Sequence, residues 1–194
     1  PKYDSDNGWG WHNGLELPVA HNDDLYFYIR NEWYTKSGYK PDVGFSYSTP
    51  FGWFNFHYAE KESSINDEGG LWIKKRPSLE FKSNRYYLFK SPFYAGINGE
   101  IGYWDEERAG GNRKGSYKGF DVYISGDPVK LGRFLTFNWR AGIAKDYYGY
   151  QNEIRENKYY SVGLMGGYRA VSGWINYTNR AITGYTPYLY DTFS

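Results

Sequence analysis

The chain contains no cysteine, which removes disulfides, thiolate nucleophiles and Cys-bound metal sites together. Histidine is nearly absent, with only His12, His21 and His57. A long apolar run is missing too. The longest is Leu25–Ile29, against the roughly 18 consecutive residues that mark a membrane helix. Nor is there an excess of charge of one sign: 23 Lys and Arg face 22 Asp and Glu, so nothing recommends nucleic acid as a partner. The opening Pro1-Lys2-Tyr3-Asp4 is polar and is no secretory signal; a mature, processed protein or an excised domain would both begin this way. These absences exclude a transmembrane helix. They leave a membrane β-barrel open, because its lipid-facing residues alternate with polar ones and keep mean hydropathy low, here −0.79.

What the chain has in quantity is aromatic side chains, 22% of its residues with Tyr the commonest. Amphipathic rings of this kind collect at membrane–water boundaries. The stretch Leu131–Asp146, LGRFLTFNWRAGIAKD, gives the pattern in full. Leu135, Phe137, Trp139, Ala141 and Ile143 fall on one face of a strand, and Thr136, Asn138, Arg140, Gly142 and Asp146 on the other. From Phe134 to Ala144 the strand would reach roughly 30–35 Å, enough to cross a bilayer at a tilt.

Similar alternation recurs along the chain, at Trp9–Val19, Leu25–Thr35, Val43–Tyr47, Trp53–Glu60, Leu71–Phe81, Phe93–Tyr103, Phe120–Ile124, Tyr160–Tyr168 and Gly173–Arg180. Turn chemistry separates them: His21-Asn22-Asp23-Asp24, Lys36-Ser37-Gly38, Pro50-Phe51-Gly52, Gly126-Asp127-Pro128. Polar loops are expected at Lys61–Gly70, Asp105–Gly115 and Tyr147–Lys158. Pro77 within its strand predicts an edge or a bulge. The polar faces are rich in Gly, Ser, Asn and Thr, with isolated charges, as a narrow barrel interior requires. The fold expected is therefore all-β: an antiparallel meander transmembrane β-barrel of about ten strands, within about 8–12. Residues 1–194 are expected to form a single outer-membrane domain, or part of a larger barrel. Leu135, Phe137, Trp139, Ile143, Val162, Leu164 and Ile175 would face lipid. Since lipid satisfies no backbone group, the strand Trp9–Val19 is expected to close on Gly173–Arg180, with Pro18 marking a seam.

Chemistry is sparse. His12 beside Glu16, and His57 after Ser46 and Ser48, have no spacing that links a nucleophile to a base, so no catalytic residue is assigned. Asp67-Glu68 and Asp105-Glu106-Glu107 read as solvated loop runs rather than Ca²⁺ ligands, and Gly69-Gly70 and Gly110-Gly111 as turns. No cofactor or metal is expected. The better candidates are polar-face residues: Arg30, Lys74, Arg76, Lys82, Arg140 and Arg180, with Glu100 and Asn138. They could form a path for phosphate or carboxylate groups. Alternatively, the cations pair with Glu16, Glu32, Glu80, Glu100 and Asp121 and fill the interior.

Several short pieces resemble the membrane barrel of the lipopolysaccharide-assembly translocon: Thr35-Lys36-Ser37-Gly38-Tyr39, Leu71-Trp72-Ile73-Lys74-Lys75-Arg76-Pro77, Gly102-Tyr103-Trp104-Asp105, Asp127-Pro128-Val129-Lys130-Leu131 and Thr186-Pro187-Tyr188-Leu189-Tyr190-Asp191. That family's barrel is larger, carries cysteines and follows a periplasmic domain. The resemblance implies lipopolysaccharide or other glycolipid assembly or transport in the bacterial outer membrane. It also implies contact with outer-membrane lipid and a periplasmic or lipoprotein partner. A looser likeness to small oligosaccharide-specific outer-membrane channels implies a passive route for acidic saccharides. A structural barrel with a filled lumen is the third reading.

Overall fold

A computed structural model describes residues 2–4, 8–19, 24–35, 38–63, 71–107, 111–168 and 171–188. The turn expected at His21-Asn22-Asp23, the centre of the Lys61–Gly70 loop, Gly110 and the end of the chain lie outside them. Thirteen strands follow one another: β1 (Lys2–Asp4), β2 (Gly8–Pro18), β3 (Leu25–Tyr34), β4 (Gly38–Thr49), β5 (Gly52–Ser63), β6 (Leu71–Ser83), β7 (Tyr86–Tyr87), β8 (Phe93–Glu107), β9 (Arg113–Gly126), β10 (Val129–Leu131), β11 (Leu135–Tyr148), β12 (Glu153–Tyr168) and β13 (Val171–Gly184). Ten of these are long, from the 10 residues of β3 to the 16 of β12. They correspond one for one to the ten alternating stretches of the sequence.

The sheet is an antiparallel meander in the order β1-β2-β3-β4-β5-β6-β8-β9-β11-β12-β13, with β7 and β10 as short flaps on β8 and β11. Each long strand pairs only with its neighbours in sequence, so the first and last remain at the edges. The sheet is not closed. The expected pairing of Trp9–Val19 with Gly173–Arg180 is thereby corrected: no ladder joins β2 to β13 among the described residues, and Pro18 pairs with Tyr26 of β3.

Register matches apolar residues to apolar residues across many strands. Leu17, Phe27, Phe45, Phe56, Leu79 and Ile101 form one such row. Trp139, Val162 and Tyr177 form another, and Phe137, Leu164 and Ile175 a third. Paired residues share a face, so a strand shifted by one would turn this whole set over. The apolar face is open: Phe45 is 46% exposed and Phe56 50%. Between them in chain order, Ser46 and Asn55 on the other face are 2% and 5% exposed. The polar face is thus the crowded one, as in a sheet curled towards it.

Two expectations about connections change. The loops foreseen at Asp105–Gly115 and Tyr147–Lys158 are mostly strand, because β8, β9, β11 and β12 run past their apolar portions into charged and tyrosine-rich ends. Only Gly149–Asn152 separates β11 from β12, with Gln151 and Asn152 in the left-handed region at φ 67° and 54°. Asp105 and Glu106 are accordingly buried strand residues, at 3% and 0% exposure, rather than a solvated loop.

Candidate functional site

The polar face carries a chain of contacts that crosses β2 to β8. At its start, Arg30 donates to Glu16 at 2.7 Å and lies 4.6 Å over the Tyr28 ring. The Tyr28 hydroxyl donates to Asn55 at 3.0 Å and lies 3.3 Å from Asp42. His57 sits between Asp42 and Glu80, at 3.3 and 3.4 Å, contacts of ion-pair length without hydrogen-bond alignment. Lys75 continues from Glu80 at 3.5 Å to Glu100 at 2.8 Å. Glu100 also accepts from Ser78 at 2.8 Å and from the Trp104 indole at 3.1 Å. His57 and Lys75 are both buried. Burial strips water from the Lys75 ammonium, and the carboxylates of Glu80 and Glu100 on either side of it offset that cost.

A second cluster joins β8, β9, β11 and β12. Asp121 accepts from Arg140 at 2.7 Å, Tyr159 at 2.8 Å and Asn98 at 3.1 Å. The Arg140 guanidinium also stacks 3.6 Å from the Tyr123 ring centre. Nearby, Asp146 takes Tyr117 at 2.8 Å and Arg155 at 3.1 Å. Between the two groups lies a cavity of about 250 Å³, bordered by Glu80, Glu100, Asp121, Asp146, Asn98 and Tyr117.

At the end where β13 finishes, residues 185–188 turn onto the polar face. Tyr188 is fully buried against Trp104, Tyr148 and Tyr150, with ring centres 5.6, 5.8 and 6.4 Å away. Trp104 in turn stacks on Tyr117 at 3.8 Å, and the Arg113 guanidinium donates to the Pro187 carbonyl. Burial, and then the Glu106 carboxylate, push the Tyr188 hydroxyl above the ordinary phenol pKa.

Arg30, Glu100, Asn138, Arg140 and Arg180 lie on the polar face, as the alternation requires; Asn138 and Arg180 are exposed there. Lys74 and Arg76 do not. In β6 two residues, Arg76 and Pro77, stand opposite one residue on each side, Tyr58 of β5 and Tyr103 of β8. This bulge flips the parity of everything before it. Lys74 pairs in register with Glu60 and Asp105 on the apolar side, and Arg76 contacts Glu60 at 3.3 Å. Lys75 turns onto the polar face instead. The signal was present: a charge on the oily side, two residues before a proline. Leu135, Phe137, Trp139, Ile143, Val162, Leu164 and Ile175 share the apolar face, and Ile175 is 74% exposed.

The class these features define is a single-layer antiparallel meander sheet with one apolar and one charge-compensated face. Comparison with protein-family models, curated proteins and solved structures finds no match to this chain. The translocon likeness therefore rests on its short sequence pieces.

Proposed function

We propose that the chain forms the wall of a bacterial outer-membrane β-barrel that takes part in assembling or transporting lipopolysaccharide or a related glycolipid. The observation that carries the membrane reading is the division of the sheet into two faces of opposite polarity. On β11 the apolar face bears no charge from Leu135 to Ile143. That is about 27 Å of strand, or about 21 Å of membrane normal at a tilt near 40°, close to the apolar band of about 25 Å in known barrels. In this reading the polar face lines the interior, and Arg30, Arg140 and Arg180 are the groups that meet phosphates of the cargo. The cargo comes from the sequence likeness to the translocon.

The pairing of Arg30 with Glu16, Lys75 with Glu100 and Arg140 with Asp121 favours a second reading, a structural barrel whose interior is filled. Two measurements test the membrane setting that both readings share. Val162 lies mid-row between Trp139 and Tyr177, so Val162→Arg should lower stability in lipid by about 2–4 kcal/mol if that row meets the bilayer midplane. A monodisperse, folded chain without detergent would sink the membrane reading altogether. For the cargo, photo-crosslinkers at Arg140 and Arg180 should capture lipopolysaccharide in reconstituted membranes. Capture only at apolar-face positions, with no conductance in planar bilayers, would leave the filled barrel.

A further inference from the structure

The apolar face has charge at one end only. At the end formed by the β2–β3, β4–β5 and β12–β13 connections, its strand residues are uncharged: Tyr47, Phe54, Phe81, Ile124, Leu135 and Leu164 among them. At the opposite end β9, β11 and β12 place Lys118, Lys145 and Lys158 on that same face. Register fixes this. Ile143 pairs with Val122 and with Lys158, Phe120 with Lys145, and Lys118 with Tyr147. The lysines thus step outward from the apolar rows: Lys158 stands in the Ile143 row, Lys145 in the next, and Lys118 in the one after that.

Their partners fall short of their number. Glu156 holds Lys145 at 3.3 Å and Lys158 at 3.0 Å, while Lys118 is exposed and makes no ion pair among the described residues. Three cations thus share one carboxylate. Lys158 and Glu156 are 62% and 27% exposed at their side chains, so the cluster is accessible from outside the sheet. Phe120 and Tyr147, with rings 6.4 Å apart, stand among the lysines as an apolar-to-polar border, the arrangement that aromatic residues adopt at headgroup level.

We infer that Lys118, Lys145 and Lys158 form a site on the outer side of the sheet for the phosphate headgroup of an anionic membrane lipid. The acyl chains would lie along the rows of Ile143, Val122 and Val162, and the phosphate would sit among the ammonium groups, displacing part of the Glu156 contact. Charge complementarity selects the headgroup, and continuity with the apolar rows selects a lipid over a free anion. The inference rests on the membrane reading.

The test uses the full chain in mixed micelles, with lipid retention read by native mass spectrometry. Phosphatidylglycerol should be retained over phosphatidylcholine by about thirtyfold, the ratio expected for two net charges near an anionic headgroup. The triple variant Lys118→Gln/Lys145→Gln/Lys158→Gln should lose that preference, and the corresponding triple Arg variant should keep it. Lys130→Gln/Arg133→Gln, at the other end of the sheet, should leave it unchanged. Should the triple Gln variant fail to fold by far-UV circular dichroism, Lys118→Gln and Lys158→Gln alone should each reduce the preference. An undiminished preference in the Gln variants would overturn the site, as would equal loss in the control variant at Lys130 and Arg133. Complete displacement of phosphatidylglycerol by inorganic phosphate would make this a free-anion site and overturn the lipid assignment. A chain that needs detergent yet shows no headgroup preference removes this site only; a detergent-free soluble chain removes the membrane reading itself.

Discussion

Tyr159 of β12 reaches Asp121 of β9 over the whole width of β11 because Gly142 lies between them. A Cβ at that position would stand 2.6 Å from the Tyr159 hydroxyl and 2.8 Å from the Val122 carbonyl oxygen. The backbone oxygen is the harder obstacle, since a ring can swing away and a paired strand cannot. The same device recurs at Gly96 of β8 under Tyr123 of β9, while Gly119 makes room for Tyr117 two residues earlier on its own strand. Glycines on the polar face are therefore seats for tyrosine rings, from the neighbouring strand at Gly96 and Gly142 and from the same strand at Gly119. Gly142→Val is expected to cost about 1–3 kcal/mol by overpacking and to release Tyr159 from Asp121. Urea unfolding in detergent measures the first effect. The second appears as non-additivity: Tyr159→Phe should cost less when combined with Gly142→Val than it does in the wild type.

Strand β6 shows what a single extra residue does to an element. With Arg76 and Pro77 bulged, Lys75 is committed to Glu80 and Glu100 on the crowded face, 7% exposed at its side chain. Arg76 stays at the rim of the apolar face, 40% exposed, beside Glu60. Lys75→Ala should cost more than Arg76→Ala, about 2–4 kcal/mol against no more than about 1 kcal/mol, because it removes the buried ammonium that stands between the half-buried Glu80 and Glu100 carboxylates. Equal losses in urea titrations would contradict this placement. The long strands were legible because period-two alternation persists through all of them but β6, where the bulge breaks it; β11 differs from its sequence reading chiefly at its ends. The bulge was half legible, since Pro77 announced an irregularity but not which neighbour would change face. Loop lengths misled because charged residues such as Asp105, Asp146 and Arg155 read as solvent-exposed, whereas partners on adjacent strands hold them in the sheet. Likewise the site was legible as a list of inward residues and not as a network, which depends on reach across strands.

For the whole molecule the governing fact is that no ladder joins the two edges of the sheet among the described residues. Each edge presents a row of backbone donors and acceptors, which lipid would leave unsatisfied. Closure of the isolated chain on itself is not what the sheet adopts, so cysteines at Leu15 and Ile175 are expected to form no intramolecular disulfide under oxidation; non-reducing gels separate monomer, cross-linked monomer and dimer. Tyr188 adds a long-range tie of a different kind. Its hydroxyl pKa is raised in the folded state by burial, so the neutral phenol favours docking. That contribution is complete below the unfolded phenol pKa of about 10 and is lost as pH rises above it. The near-UV signal of Trp104, which meets the Tyr188 ring edge-on, should change above that pH, and that change should be absent in Tyr188→Ala. The order of these contacts has a kinetic meaning. Every ladder joins strands that follow one another in the chain or are parted only by the short β7 or β10, so hairpins can add one after another without waiting for a distant partner. The ring of Tyr188 can find Trp104 only after β8 through β13 are in place. Docking of this tyrosine is then the last step of assembly and the first to reverse, a clasp whose fluorescence or circular dichroism would time the completion of the sheet.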